Sequence, residues 1–146
     1  MKCIIACNQK HFYDQFIVRS EVFIIEQNVP IKEEIDLLDA QAIQFVAYDN
    51  EVPIGAARFR VVEGKGKVER VCVLKAYRKK KVGTLIMQTI ENYALNQNIT
   101  ILILGAQLTA LPFYHSLGFT EYGELFLDAN IEHKMMKKYL KLKTEH

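Results

Sequence analysis

Val71-Cys72-Val73-Leu74-Lys75-Ala76-Tyr77-Arg78-Lys79-Lys80-Lys81-Val82-Gly83-Thr84 reads as the end of an apolar strand, a short loop with four consecutive cations, and the start of a helix. The first N–H groups of a helix have no internal partners, and its N-terminus carries partial positive charge. A strand–loop–helix junction of this kind is therefore able to hold a phosphate. Arg78, Lys79, Lys80 and Lys81 add long-range attraction for a polyanion. Gly83 permits close approach to the backbone, and Thr84 offers a hydroxyl donor in the same turn. From these residues alone the segment is a site for a phosphorylated cofactor, a solvated basic loop, or a nucleic-acid patch. A nucleic-acid surface calls for a broad basic face with interleaved aromatics, and nothing elsewhere in the chain extends the run in that way.

Upstream, Phe45-Val46-Ala47-Tyr48 is strand-like and is followed by the turn pair Asp49-Asn50. Ile54–Val62 alternates Arg58 and Arg60 with Phe59 and Val61, Gly64–Gly66 turns, and Val68–Leu74 runs into the basic loop. These strands predict an antiparallel meander. Residues 2–7 predict a first strand and 11–26 an amphipathic helix, stopped by Pro30. The acidic stretch Lys32–Asp39 predicts a short helix or loop. Downstream, Val82–Asn96 predicts an amphipathic helix with Val82, Leu85, Ile86, Ile90, Tyr93 and Ala94 on one stripe. The apolar run Ile99–Leu104 predicts a strand covered on both faces. Thr109–Leu117 predicts a helix closed by Gly118, and Phe119–Leu127 and His133–Leu140 predict a hairpin across Asp128-Ala129-Asn130.

No repeat, linker or low-complexity segment interrupts the chain, so residues 1–146 are expected to form one α+β domain. A net charge of +2 is too small to make the whole surface a nucleic-acid partner, and no apolar run approaches the length of a membrane span. Cys3 and Cys7, on one face of a strand, would lie roughly 13 Å apart, too far for a disulfide. With Cys72 they read as reduced thiols in a cytoplasmic protein. The spacing of histidines and cysteines suggests no metal.

The segment around Val71 and Val73, with Arg78 in the first loop position and Gly83 in the last, resembles the pyrophosphate loop of the GNAT superfamily of N-acetyltransferases. Lys81 stands where that family usually has its first glycine. If the position is left-handed, lysine costs about 1 kcal/mol there. Gln107-Leu108-Thr109-Ala110-Leu111-Pro112-Phe113-Tyr114-His115-Ser116-Leu117-Gly118-Phe119 is similar to a second family block, with Gln107 in place of asparagine. Val22–Gln27, Glu34, Asp36, Asp39, Ala57–Arg60 and Asp128–Met135 resemble the ElaA/YjcF-like branch.

The resemblance implies a GNAT acyl-CoA N-acyltransferase fold, a mixed and mostly antiparallel twisted sheet of about six or seven strands flanked by about four helices. It implies acetyl-CoA as cosubstrate, held by Val71, Cys72, Val73, Arg78, Lys79, Lys80, Lys81, Val82, Gly83, Thr84, Gln107, Ala110 and Phe113. It further implies an unidentified acceptor, a primary amine on a small molecule or peptide, that attacks directly in a ternary complex. Tyr114 stands at the position of the general acid. Glu69, which strict alternation puts on one face with Val71 and Val73, is the candidate base or else a structural partner of an arginine. Arg70 is read as structural. Glu26 and His133 are candidates to line the acceptor pocket, and Glu33, Glu34, Asp36 and Asp39 either attract a cationic amine or form a solvated helix face. A CoA-binding module without turnover, a nucleic-acid-binding domain and a homodimer are the remaining possibilities.

Overall fold

Alternating apolar residues and two tight turns build the meander at the centre of the molecule. β2 (Ile43–Asp49) pairs antiparallel with β3 (Val52–Val62), and β3 with β4 (Lys65–Val73). The computed structural model describes residues 1–141, so the last five residues of the expected domain lie outside the described residues. β1 (Lys2–Ile5) adds to the free edge of β2, and β5 (Ile101–Gln107) pairs parallel with β4. The hairpin of β6 (Thr120–Asp128) and β7 (Ile131–Tyr139) completes a seven-stranded sheet in the order β1-β2-β3-β4-β5-β7-β6. Ala129 and Asn130 both have positive φ at the hairpin tip, as a two-residue turn matched to strand twist requires.

Among the described residues four α-helices accompany the sheet: α1 (Gln9–Arg19), α2 (Ile31–Glu34), α3 (Val82–Asn96) and α4 (Leu111–Ser116). The predicted stripe of α3 is the one that sinks into the core: Val82, Ile86, Ile90 and Ala94 are buried against Phe45, Ala57, Phe59 and Leu104. Val82, Ile86 and Ile90 each contribute roughly 1.5–3 kcal/mol by this burial. Successive strand residues face opposite ways. Ala56 accordingly faces the other side, where it packs with Cys72 against Val18 and Val22. α1 and α3 thus cover opposite faces of the sheet.

Three expectations are corrected. The helix predicted over 11–26 is α1 followed by a wider π-helical stretch, Ser20–Glu26, closed by the Gln27 N–H donating to Val22 O. β5 is covered unevenly. Leu102, Leu104 and Ala106 are buried while Ile101 and Ile103 are half-buried, and the strand extends to Gln107 rather than stopping at Leu104. The helix predicted over 109–117 is a 3-10 turn, Leu108–Ala110, followed by the shorter α4 with Pro112 in its first turn.

Candidate active site

β4 and β5 touch only along Gly66–Val68 and Leu102–Leu104; beyond Val68 they part. The residue that opens them is Arg70, whose φ is 57°. In the register with β3, Arg58 faces Glu69 but Ala56 faces Cys72, so β4 spends one extra residue there. Such a bulge bends its strand and inverts the alternation that follows. Val71 and Val73 therefore join Val68 on the α3 face, and Glu69 shares its face with Cys72. The expectation that Glu69 lies on one face with Val71 and Val73 is overturned by that extra residue. The Leu74 N–H donates to Ile54 O on β3, so the Val73 N–H, one residue earlier, points to the other edge and into the gap.

The gap widens into a cleft of about 880 Å³ that runs from Val71–Val73 across Leu104–Gln107 to the N-terminus of α3. Lys79, Lys81, Val82, Gly83, Thr84, Ala110 and Phe113 also line it, whereas Lys80 lies over the Tyr77 ring, 5.5 Å from its centroid. Lys81 does sit in the left-handed region, at φ 64°, as the cap of α3, and Lys79 has the same φ. The missing glycine therefore costs about 1 kcal/mol at Lys81. Gly83 has a packing role besides the expected one. A Cβ there would lie 2.9 Å from Cζ of Phe113, so the glycine lets α3 close onto that ring.

Arg78 does not reach out freely. Its guanidinium donates two bonds of 2.6 Å to the carboxylate of Glu26 and one of 3.0 Å to Val73 O. The Glu26–Arg78 pair ties the π-helical stretch to the loop, and it holds the Glu26 carboxyl below its ordinary range. Glu26 is not among the residues lining the cleft.

Tyr114 is buried on α4, edge-on to Phe113 and Phe119, and lines the cleft beside Cys72. Among the described residues, only Gln15 Nε2 and Gln44 Oε1 are sealed side-chain polar atoms without a partner. The Tyr114 hydroxyl therefore opens on the cleft. Burial, and then the neighbouring Cys72, raise its pKa, so the phenol holds its proton. Burial and the Glu34 carboxylate likewise push the Cys72 thiol up, which disfavours a nucleophilic thiolate. Glu69 accepts from Arg60 Nε at 2.7 Å and from Arg58 Nε at 3.2 Å, with Lys67 3.8 Å away. Burial alone would raise its carboxyl, but the Arg60 hydrogen bond and the charges of Arg58, Arg60 and Lys67 outweigh that and hold it low.

Three of the four acids in this stretch, Glu34, Asp36 and Asp39, are neither a solvated face nor free to attract an amine. Fully buried Arg19 binds Glu34 and, at 2.7 Å, Asp39; fully buried Arg58 binds Asp36 at 2.7 Å; Arg70 binds Glu34 at 2.6 Å. Of that stretch only Glu33 keeps its carboxylate out of the ion pairs among the described residues. Arg70, read from the sequence as structural, is held in these ion pairs and also borders the cleft.

At the far end of the cleft, β7 lays His133 opposite Gln107 of β5 and Phe126 of β6. The imidazole is buried, stacks on Phe126 at 5.5 Å, and uses Nδ1 to reach Ile131 O at 2.7 Å. Gln107 Nε2 donates to Gln27 Oε1 at 2.9 Å. Phe23, Gln27, Phe126 and Asp128 belong to this end and were not expected. Phe23, Gln27 and Asp128 lie in stretches that resemble the ElaA/YjcF-like branch, but no local signal puts them together, because the hairpin and the π-helical stretch meet here only in the folded chain. No group of three or more metal-ligating side chains occurs among the described residues, and none of their helices is long and apolar enough to cross a membrane.

A parting pair of parallel strands that aims a cleft at a helix N-terminus defines the acyl-CoA N-acyltransferase fold. The Acetyltransferase (GNAT) domain family matches residues 7–140, and the chain belongs to that family. It is 47% identical over 139 residues to the uncharacterized N-acetyltransferase YjcF of Bacillus subtilis (strain 168), covering 94% of this chain and 99% of that one. The crystal structure of Escherichia coli ElaA superposes with a TM-score of 0.83 at 26% identity, covering 94% and 99% of the two chains. An aminoglycoside 6′-N-acetyltransferase complexed with coenzyme A shares the fold, with a TM-score of 0.77 at 14% identity over 99% and 100%. The protein is an acyltransferase.

Proposed function

We propose that this acyltransferase moves an acetyl group from acetyl-CoA to a primary amine by direct attack in a ternary complex. The observation that carries the reading is the opening between β4 and β5, which leaves the Val73 N–H unpaired at one end and the N-terminus of α3 at the other. The first fits a thioester carbonyl and the second a pyrophosphate. The coenzyme A bound by the aminoglycoside 6′-N-acetyltransferase of the same fold supports the choice of donor. Thr84, Gly83 and the backbone of Lys79 and Lys81 would hold the pyrophosphate, with Phe113 and Ala110 along the pantetheine arm.

An alkylammonium of pKa about 10.4 has to lose a proton before its nitrogen attacks. The carbon–nitrogen bond then forms as the carbon–sulfur bond breaks, and Tyr114, held protonated by its buried site, supplies the proton to the sulfur. Glu69 keeps its two arginines in place rather than serving as the base. Cys72 packs the floor, which favours direct transfer over an acyl-cysteine. The free thiols of Cys3, Cys7 and Cys72 suit a reducing cytoplasm, and the exposed edge strand β6, with Leu125 and Leu127 outward, suits a second copy of the chain.

The test is thermal. Acetyl-CoA at 100 times its Kd stabilises by about 2.7 kcal/mol, which raises Tm by roughly 5–10 °C in a chain of this size. No shift at millimolar acetyl-CoA refutes the donor assignment. A panel of alkylamines, polyamines, amino sugars and peptides, read by release of free CoA thiol, then identifies the acceptor.

A further inference from the structure

We propose that His133, through Nε2, is the group that takes the proton from the acceptor amine; the inference rests on the acetyl-transfer reading above. A carbonyl oxygen only accepts, so the 2.7 Å contact with Ile131 O places a proton on Nδ1 of His133. In the neutral ring the lone pair then sits on Nε2. That nitrogen has no hydrogen-bond partner among the described residues, and it is not among their sealed, unsatisfied atoms. The side chain is 8% exposed yet lines both the main cleft and a smaller recess that continues it. A buried ring with one nitrogen fixed by the backbone and the other facing an opening is oriented as a proton acceptor.

The surroundings fit a cationic acceptor. The recess is bounded by Glu33 and Glu34 from α2, Arg70 from β4, Gln107 from β5 and Asp128 from β6. Glu34 and Arg70 neutralise one another at 2.6 Å, while Glu33 and Asp128 make no ion pair among the described residues. Two acidic residues outside any ion pair among the described residues therefore border the recess that His133 lines. Stacking on Phe126 and the register opposite Gln107 hold the ring in place. Glu69, the other candidate, is bound to Arg58 and Arg60 and shares a face with Cys72.

The step balances as follows. The ammonium gives one proton to His133 Nε2, which passes it to solvent. The neutral amine attacks the thioester carbonyl, the carbon–nitrogen bond forms and the carbon–sulfur bond breaks. The second proton, shed by the new amide nitrogen, offsets the one that Tyr114 delivers to the departing sulfur.

The experiment compares two nucleophiles on wild type and His133→Gln. Butylamine needs a base, whereas hydroxylamine is already largely uncharged at neutral pH. The variant is expected to lose at least 100-fold in kcat/KM with butylamine, or with the fastest amine of the panel, and to stay within about threefold with hydroxylamine. Its stabilisation by acetyl-CoA is expected to match wild type. Equal losses on both nucleophiles, or no loss on either, overturn the proposal while leaving acetyl transfer intact. A wild type that transfers to no nucleophile overturns the acetyl-transfer reading, and this one with it. Long-range ¹H–¹⁵N spectra of the wild-type chain give a second check that needs no variant. The proton is expected on Nδ1 with Nε2 bare; a neutral ring protonated on Nε2 refutes the assignment.

Discussion

Replacing Glu69 by glutamine separates a clamp from a base. The carboxylate is 14% exposed and takes hydrogen bonds from Arg60 Nε at 2.7 Å, Arg58 Nε at 3.2 Å and Arg60 Nη2 at 3.3 Å. Glutamine keeps the shape and one acceptor oxygen but removes the charge. A hydrogen bond to a charged group contributes about 1.5–3 kcal/mol and a neutral one about 1. Arg58 still has Asp36 and Asp39, so the loss falls mainly on the Arg60 pair and comes to about 2 kcal/mol. In a domain of this size that lowers Tm by roughly 4–8 °C. Differential scanning calorimetry measures it, and steady-state CoA release below the transition gives kcat. A kcat within threefold of wild type is expected. A general base contributes about 10²–10⁴-fold. A 100-fold loss of kcat with Tm within a degree of wild type would show that Glu69 takes the proton, and the clamp assignment would be wrong.

Tyr114→Phe is expected to lower kcat by 10-fold or more while the acetyl-CoA Kd, from calorimetric titration, stays within twofold, because the ring contacts survive and only the proton is lost. Gly83→Ala places a methyl 2.9 Å from the Phe113 ring. Overpacking of about 1–2 kcal/mol less the helical gain from losing a glycine leaves roughly 1 kcal/mol of destabilisation, visible as a Tm lower by about 2–4 °C and a weaker thermal response to acetyl-CoA. Asp36, Asp39 and Glu69 all have carboxyls lowered in the folded chain, where arginines outweigh the opposing effect of burial. Their stabilisation is complete above the unfolded carboxylate range near pH 4 and is lost as pH falls through the lower folded values. Tm measured from pH 6 to pH 2.5 is expected to hold steady and then fall below about pH 4.

Residues 71–84 determined much of this protein locally. The alternation of Val71 and Val73, the loop cations and the apolar stripe of α3 are properties of adjacent residues, so the strand, the loop and the helix were all legible, as was the second block that carries Tyr114 on α4. The faces and the pairings were not. One extra residue at Arg70 inverts the alternation of β4, and a bulge depends on the partner strand rather than on the bulged sequence. Nor does local sequence disclose that Arg78 spends its guanidinium on Glu26, that Arg19 and Arg58 absorb the acidic stretch, or that Gly83 makes room for Phe113. Those contacts join residues far apart in the chain, and Coulomb attraction and packing act on distance in space. The basic loop thus stands as the phosphate end of the cleft on sequence alone, while the end where His133, Glu33 and Asp128 line one recess exists only after β7, β6 and α2 have come together.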